Sequence, residues 1–236
     1  MTTSLKELSF ETGTRAGPVS GLLLLPPHAT SLFVMAHGAG AGMRHRFMDA
    51  MAAALAGLGV GTFRYQFPYM ETGQKRPDFP PVLHATVRAA VATAGELAPG
   101  LPLFAGGKSM GGRMTSGAAA AAPLPGVQGL IFLGFPLHQP GNPSVTRAEH
   151  LAQVSVPMLF LQGTRDSLAS LDLVRTVCAG LPLATLHVVE GGDHSFAVPK
   201  RSGRTGEEAM AEMARSIGDW VENPRGGRQP EMAAPH

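Results

Sequence analysis

Short apolar runs alternate with segments of helical spacing along almost the whole chain, and this alternation constrains the fold more than any other feature. SLFVMAH (31–37), LPLFAGG (101–107), GLIFLGF (129–135), VPMLFLQG (156–163) and ATLHVVEG (184–191) are too short for helices. Their apolar residues run on rather than alternate, as in strands buried on both faces. VSGLLLLP (19–26) and VGTFRYQF (60–67) read as further strands, with LSFETG (8–13) as a partner of the first. Helical spacing marks HRFMDAMAAALAGLG (45–59), VLHATVRAAVATAGELA (82–98), MGGRMTSGAAAAA (110–122), SLDLVRTVCAGL (170–181) and GEEAMAEMARSIGDWVE (206–222), with a short helix at RAEHLAQ (147–153). FPYMETGQKRPDFPP (67–81) holds too much Pro and Gly for either element and reads as a loop. Strands and helices at this spacing predict an α/β fold: a mostly parallel sheet with helices on both faces. The 236 residues suit one domain, placed at 1–222. The polar, Pro-rich NPRGGRQPEMAAPH (223–236) reads as a disordered tail.

In open α/β sheets ligands bind at the carboxyl ends of the strands. One such end carries Gly107-Lys108-Ser109-Met110-Gly111. Gly-Lys-Ser can close a phosphate-binding loop, but that loop needs a glycine at 102 to open it, and 102 is Pro in a strand. G-x-S-x-G between a strand and a helix fits a nucleophile elbow in full. Ser109 would then project above the sheet, with the Met110 N–H facing the reacting carbonyl oxygen.

A serine nucleophile needs a base, and the base needs an orienting acid. Asp166 follows one strand in QGTRD, and His194 follows the next in GGDHSF. The order Ser, Asp, His and the shared sheet edge predict a triad of Ser109, Asp166 and His194. Asp193 and Asp172 are weaker rival acids, the first adjoining the base and the second lying inside a helix pattern. The Gly-rich turn His37-Gly38-Ala39-Gly40-Ala41-Gly42 lets backbone approach a substrate, and Ala39 N–H is the second oxyanion donor beside Met110. A dinucleotide fingerprint would need Gly at 43 or 45, which are Met43 and His45. His37 reads as a structural loop histidine.

Composition narrows the partners. The net charge is +2 with 15% charged residues and no long basic stripe, which argues against nucleic acid. No apolar run approaches the ~18 residues of a membrane span, and MTTSLKELSFETG lacks the apolar core of a signal peptide. Cys178 is the only cysteine, so no intrachain disulfide can form. It reads as a small apolar helix residue in a cytoplasmic protein. His-Glu-x-x-His is absent and the nine histidines show no ligand spacing, so neither metal nor organic cofactor is expected. The expected partner is a small-molecule acyl substrate; the oligomeric state is left open.

The elbow, QGTRD, GGDHSF and HGAGAG together resemble the α/β-hydrolase superfamily. FRYQFPYMETGQKRPD (63–78), FPLHQPGNPSVTRAEHL (135–151) and HSFAVPKRSG (194–203) are similar to a dienelactone-hydrolase-like group. That group is related to a testis-expressed hydrolase-like protein and a chromatin-complex subunit of animals. The resemblance implies an α/β-hydrolase fold with a sheet of about seven or eight strands and no large cap domain. It carries over Ser109, Asp166 and His194 as triad positions. After Asp166 this chain reads Ser-Leu-Ala-Ser, where relatives often have Pro-Phe-Gly. Dienelactone hydrolases proper use a cysteine nucleophile, and this chain has Ser109, so their substrate is not carried over.

On the substrate side, Tyr65, Phe67, Tyr69, Met70, Leu137 and His138 are the candidate pocket residues, following strands at the same edge. Lys75, Arg76, Lys200 and Arg201 read as solvated charges that would also suit an acidic substrate. The expected activity is a serine carboxylesterase or thioesterase acting on small or medium acyl groups through an acyl-enzyme. The alternative is a non-catalytic interaction module on the same fold, as some relatives in this group imply.

Overall fold

A computed structural model describes residues 4–224. The elements run β1 (Ser4–Glu11), β2 (Pro18–Leu25), β3 (Ser31–Ala36), α1 (Arg46–Ala56), β4 (Val60–Tyr65), α2 (Pro68–Glu71) and α3 (Pro80–Leu97). Then follow β5 (Leu103–Lys108), α4 (Met110–Ala121), β6 (Val127–Leu133), β7 (Met158–Gly163), α5 (Leu171–Ala179), β8 (Ala184–Val189) and α6 (Gly206–Glu222). The eight strands form one sheet in the order β1-β2-β4-β3-β5-β6-β7-β8. β1 and β2 pair antiparallel, β2 meets β4 antiparallel, and all other pairs are parallel.

The continuous apolar runs are explained by two cores. In β3, Leu32, Val34 and Ala36 face α3 and α4, while Phe33 and Met35 face α1 and α6. β6 divides the same way, Leu130 and Phe132 against Ile131 and Leu133. A strand covered on both faces has no polar side to alternate with. α6 seats Met213, Ile217 and Trp220 in the second core and opens with a Thr205–Glu208 capping box.

The chain leaves β3 for β4 on one side and later returns to β5 on the other. The reversal opens a crevice above the carboxyl ends of β3 and β5, which is where such sheets place ligands. The His37–Gly42 loop and Ser109 lie at those two ends. No large cap is inserted among the described residues.

Three expectations shift. The 67–81 loop contains α2, and α3 begins at Pro80 rather than 82. Proline at a helix's first positions lacks an N–H that would be unpaired there anyway, so Pro68 and Pro80 start helices. β1 reaches back to Ser4, because each of its residues finds a partner on β2. RAEHLAQ belongs to a 3-10 helix, Thr146–Gln153. Of the tail expected at 223–236, residues 225–236 lie outside the described residues.

Candidate active site

β5 and α4 hold Ser109 between them at φ 50°, ψ −116°, a left-handed conformation rare for a residue with a Cβ. The spacing of small residues has a steric cause. A Cβ on Gly107 would lie 2.1 Å from the Ala36 carbonyl oxygen, and one on Gly111 would lie 2.6 Å from those of Ala36 and His37. Only glycine at both positions lets the turn sit against β3. Ser109 N–H donates to the Leu133 carbonyl at 3.1 Å, fixing the elbow to β6.

The chain order Ser, Asp, His becomes one hydrogen-bonded line. Ser109 Oγ is 2.8 Å from His194 Nε2, and His194 Nδ1 is 2.8 Å from Asp166 Oδ2. An ionised carboxylate only accepts, so Nδ1 carries the proton and Nε2 faces the serine hydroxyl as acceptor. Asp166 also accepts from Gln162 Nε2 at 2.7 Å and from the Leu168 N–H at 2.8 Å. Burial pushes its carboxyl pKa up, but the bonds and charge of His194, with Leu168 and Gln162, outweigh that and hold it below the ordinary value. Ser109 and His194 stay partly accessible while Asp166 is buried.

The rival acids are engaged elsewhere. Asp193 accepts from the N–H groups of Ser195 and Ala197, shaping the turn that presents His194. Asp172 is exposed and pairs with Arg175. The Ser-Leu-Ala-Ser turn after Asp166 supplies the Leu168 N–H and is tied to His138 by two contacts. His138 N–H donates to the Leu168 carbonyl, and Ser170 N–H donates to His138 Nε2.

Met110 opens α4, so its N–H has no acceptor within the helix and lies at the positive end of the helix dipole. Ala39 is exposed on the loop facing it, while neighbouring Gly38 packs against Lys108 and Ser109. His37 is fully buried and clamps this loop: Nδ1 donates to the Gly38 carbonyl at 2.7 Å, and Nε2 accepts the Phe67 N–H at 3.1 Å. Desolvation lowers its pKa to about 4, against a smaller upward pull from the Gly38 carbonyl, so it is neutral. Gly40 N–H donates to the Tyr69 hydroxyl at 3.1 Å.

The candidate pocket residues are corrected by their packing. Tyr65, Phe67 and Leu137 are almost wholly buried in the first core, with no surface left to meet a ligand. Tyr65 packs edge-on against Phe67, and Phe67 against the His37 ring. Tyr69 and His138 shape loops through the bonds above. Met70 alone of the six lines a described cleft, of about 400 Å³, with Ala41, Met43, Arg44, Gln66 and Glu71. This cleft adjoins the Gly-rich loop.

Sequence reasoning gave Lys108 no role. Its Nζ donates to the His194 carbonyl and lies over the Phe196 and Phe47 rings, 5.3 and 5.9 Å from their centroids. Lys108 Nζ, Asp166 Oδ2 and His194 Nδ1 lie 3.1, 3.6 and 3.6 Å from the point where a Gly134 side chain would begin. Desolvation lowers its pKa to about 8, opposed by Asp166 and Asp193. No local pattern signals a contact between residues 86 apart. Cys178 is half-buried on α5, its thiol pushed up to about 12 by desolvation, which keeps it protonated. Among the described residues no cluster of His, Cys, Asp or Glu could hold a metal ion, and no helix is long and apolar enough to cross a membrane.

An eight-stranded sheet with a serine elbow at its switch point defines the α/β-hydrolase fold. A family model described as an alpha/beta hydrolase domain matches residues 29–222, and the chain belongs to that family. Solved structures agree at the level of the fold. Dienelactone hydrolase from Anabaena variabilis superposes with a TM-score of 0.75 at 19% identity, covering 94% of this chain and 98% of its own. A serine hydrolase without a lid from Xanthomonas campestris gives 0.69 at 21%, covering 93% and 96%. A cold-adapted esterase from an Arctic intertidal metagenomic library gives 0.64 at 23%, covering 93% and 94%.

Proposed function

We propose that the protein is a serine hydrolase that cleaves ester-like bonds, of carboxylesterase or thioesterase type, on small or medium acyl substrates. The observation that carries this reading is the line from Ser109 through His194 to Asp166, set on a strained elbow. Ser109 Oγ attacks the acyl carbon as its proton passes to His194 Nε2. The carbonyl oxygen becomes an oxyanion held by the Met110 and Ala39 N–H groups. As the intermediate collapses, His194 returns the proton to the leaving alkoxide or thiolate, and the acyl group stays on Ser109. Water, deprotonated by His194, attacks the acyl-enzyme. The second intermediate collapses to release the acid and restore Ser109. Asp166 keeps the imidazole oriented and stabilises its cation throughout.

The test is hydrolysis of 4-nitrophenyl esters from acetate to octanoate. Wild type is expected to turn over the short and medium esters. Asp166→Asn leaves the geometry nearly intact but favours the wrong imidazole tautomer, and should lower kcat by about a thousandfold or more. Equal rates in wild type and Asp166→Asn would overturn the triad.

A further inference from the structure

A second group of side chains surrounds α4 beyond Ser109, and its members are basic. His84 comes from α3, Arg113 from α4, and Arg147 and His150 from the Thr146–Gln153 helix. His84 Nε2 lies 2.7 Å from where a Gly117 Cβ would be, so the missing side chain admits the ring. His150 Nε2 meets Ser116 Oγ at 2.7 Å. Arg113 lies one turn nearer the start of the helix. Its charge acts on both histidines, and Arg147's acts on it. Among the described residues none of these four groups forms an ion pair with a carboxylate. Glu149, on the same short helix, is exposed and pairs with none of them.

The nearby arginines differ. Arg88 donates to the carbonyls of Ala118, Ala122 and Pro123 at the end of α4, and Arg147 to that of His138. Arg113 is partly buried, and no described protein acceptor takes its guanidinium donors. Burial takes this guanidinium only partly out of water, and beside a second cation without a protein counter-charge it is left for water or a bound anion to compensate. Its planar fork suits a carboxylate or phosphate. Arg113 N–H donates to the Ser109 carbonyl at 3.2 Å across the first turn of α4, and helical side chains lean toward the N-terminus. The fork therefore leans toward the turn that begins at Ser109.

We infer that Arg113, supported by Arg147 and flanked by His84 and His150, binds an oxyanion carried by the substrate, so that the enzyme prefers esters bearing a carboxylate or phosphate. This rests on the serine-hydrolase reading. The test compares 4-nitrophenyl hemiglutarate with 4-nitrophenyl butyrate, acyl chains that differ chiefly in a terminal carboxylate. In wild type, kcat/KM should favour the charged ester about tenfold or more at low ionic strength, through KM, and salt should shrink the ratio. Arg113→Gln should reduce the ratio about tenfold, and Arg113→Lys should restore part of it. Removing Arg113 orphans no protein acceptor, so the variant should keep its melting temperature. Competition by glutarate and by inorganic phosphate, measured separately, tells which oxyanion the site takes.

Equal kcat/KM for the two esters in wild type, or a ratio unchanged in Arg113→Gln, would overturn the proposal. If neither ester is hydrolysed, the serine-hydrolase reading fails by itself. Calorimetric titration of wild type and Arg113→Gln with glutarate and phosphate then still decides the anion site: heat only in wild type supports it, and no difference overturns it.

Discussion

At the scale of single residues, the site depends on groups that hold other groups. Lys108 is the clearest case, since its ammonium ties down the carbonyl of His194 itself. A hydrogen bond from a charged donor contributes about 1.5–3 kcal/mol, so Lys108→Met should lower kcat about ten- to a hundredfold while leaving KM nearly unchanged. The Lys108 pKa of about 8 adds a pH signature. Below that value the lysine is charged and the loop is held by a charge-assisted bond; above it the charge is lost. Wild-type kcat should therefore fall on the alkaline side with an apparent pKa near 8, and Lys108→Met should lose that limb. A pH profile of kcat checks both, and an alkaline limb retained in Lys108→Met would remove the lysine from the account. The line Ser109, Asp166, His194 was legible in the sequence because each residue follows its own strand. Lys108 was not, because its partner is set by where two distant loops meet.

At the scale of elements, the His37 clamp makes the fold sensitive to acid. In the unfolded chain His37 takes a proton near pH 6.5, and in the folded protein only near 4. The folded-state pKa is depressed, so this contribution to stability is complete above about 6.5 and is lost as pH falls toward 4. The difference amounts to about 3 kcal/mol at pH 4. Protonation also removes the acceptor of the Phe67 N–H, so the Gly-rich loop should loosen with it. Denaturant unfolding at pH 7 and pH 4.5 should show a smaller difference for His37→Gln than for wild type, and equal differences would contradict the clamp. The sequence marked His37 as a loop histidine, but not that it joins two loops. It also missed α2, since four residues opening with Pro leave no helical period to detect. The aromatic residues 65–69 were read as a pocket wall because they follow a strand. Burial in the core decided otherwise, and sequence position does not encode which side of a loop faces in.

At the scale of the whole molecule, alternation of apolar runs and helices carried the fold. Strands buried on both faces leave a continuous signal, and the elbow and Gly-rich turn mark the switch point above β3 and β5. The substrate wall was less legible, because without a large cap the rim is built from loops whose packing no periodicity records. The proposed activation of Ser109 at that rim can be reached by one measurement without knowledge of the substrate. The protein would be treated with a fluorophosphonate probe and its intact mass followed, with Ser109→Ala beside it. Stoichiometric labelling of wild type, mapped to Ser109 and absent in Ser109→Ala, is the predicted result. Correctly folded wild type that takes up no probe, or takes it up equally in the variant, would contradict the claim that Ser109 is a nucleophile.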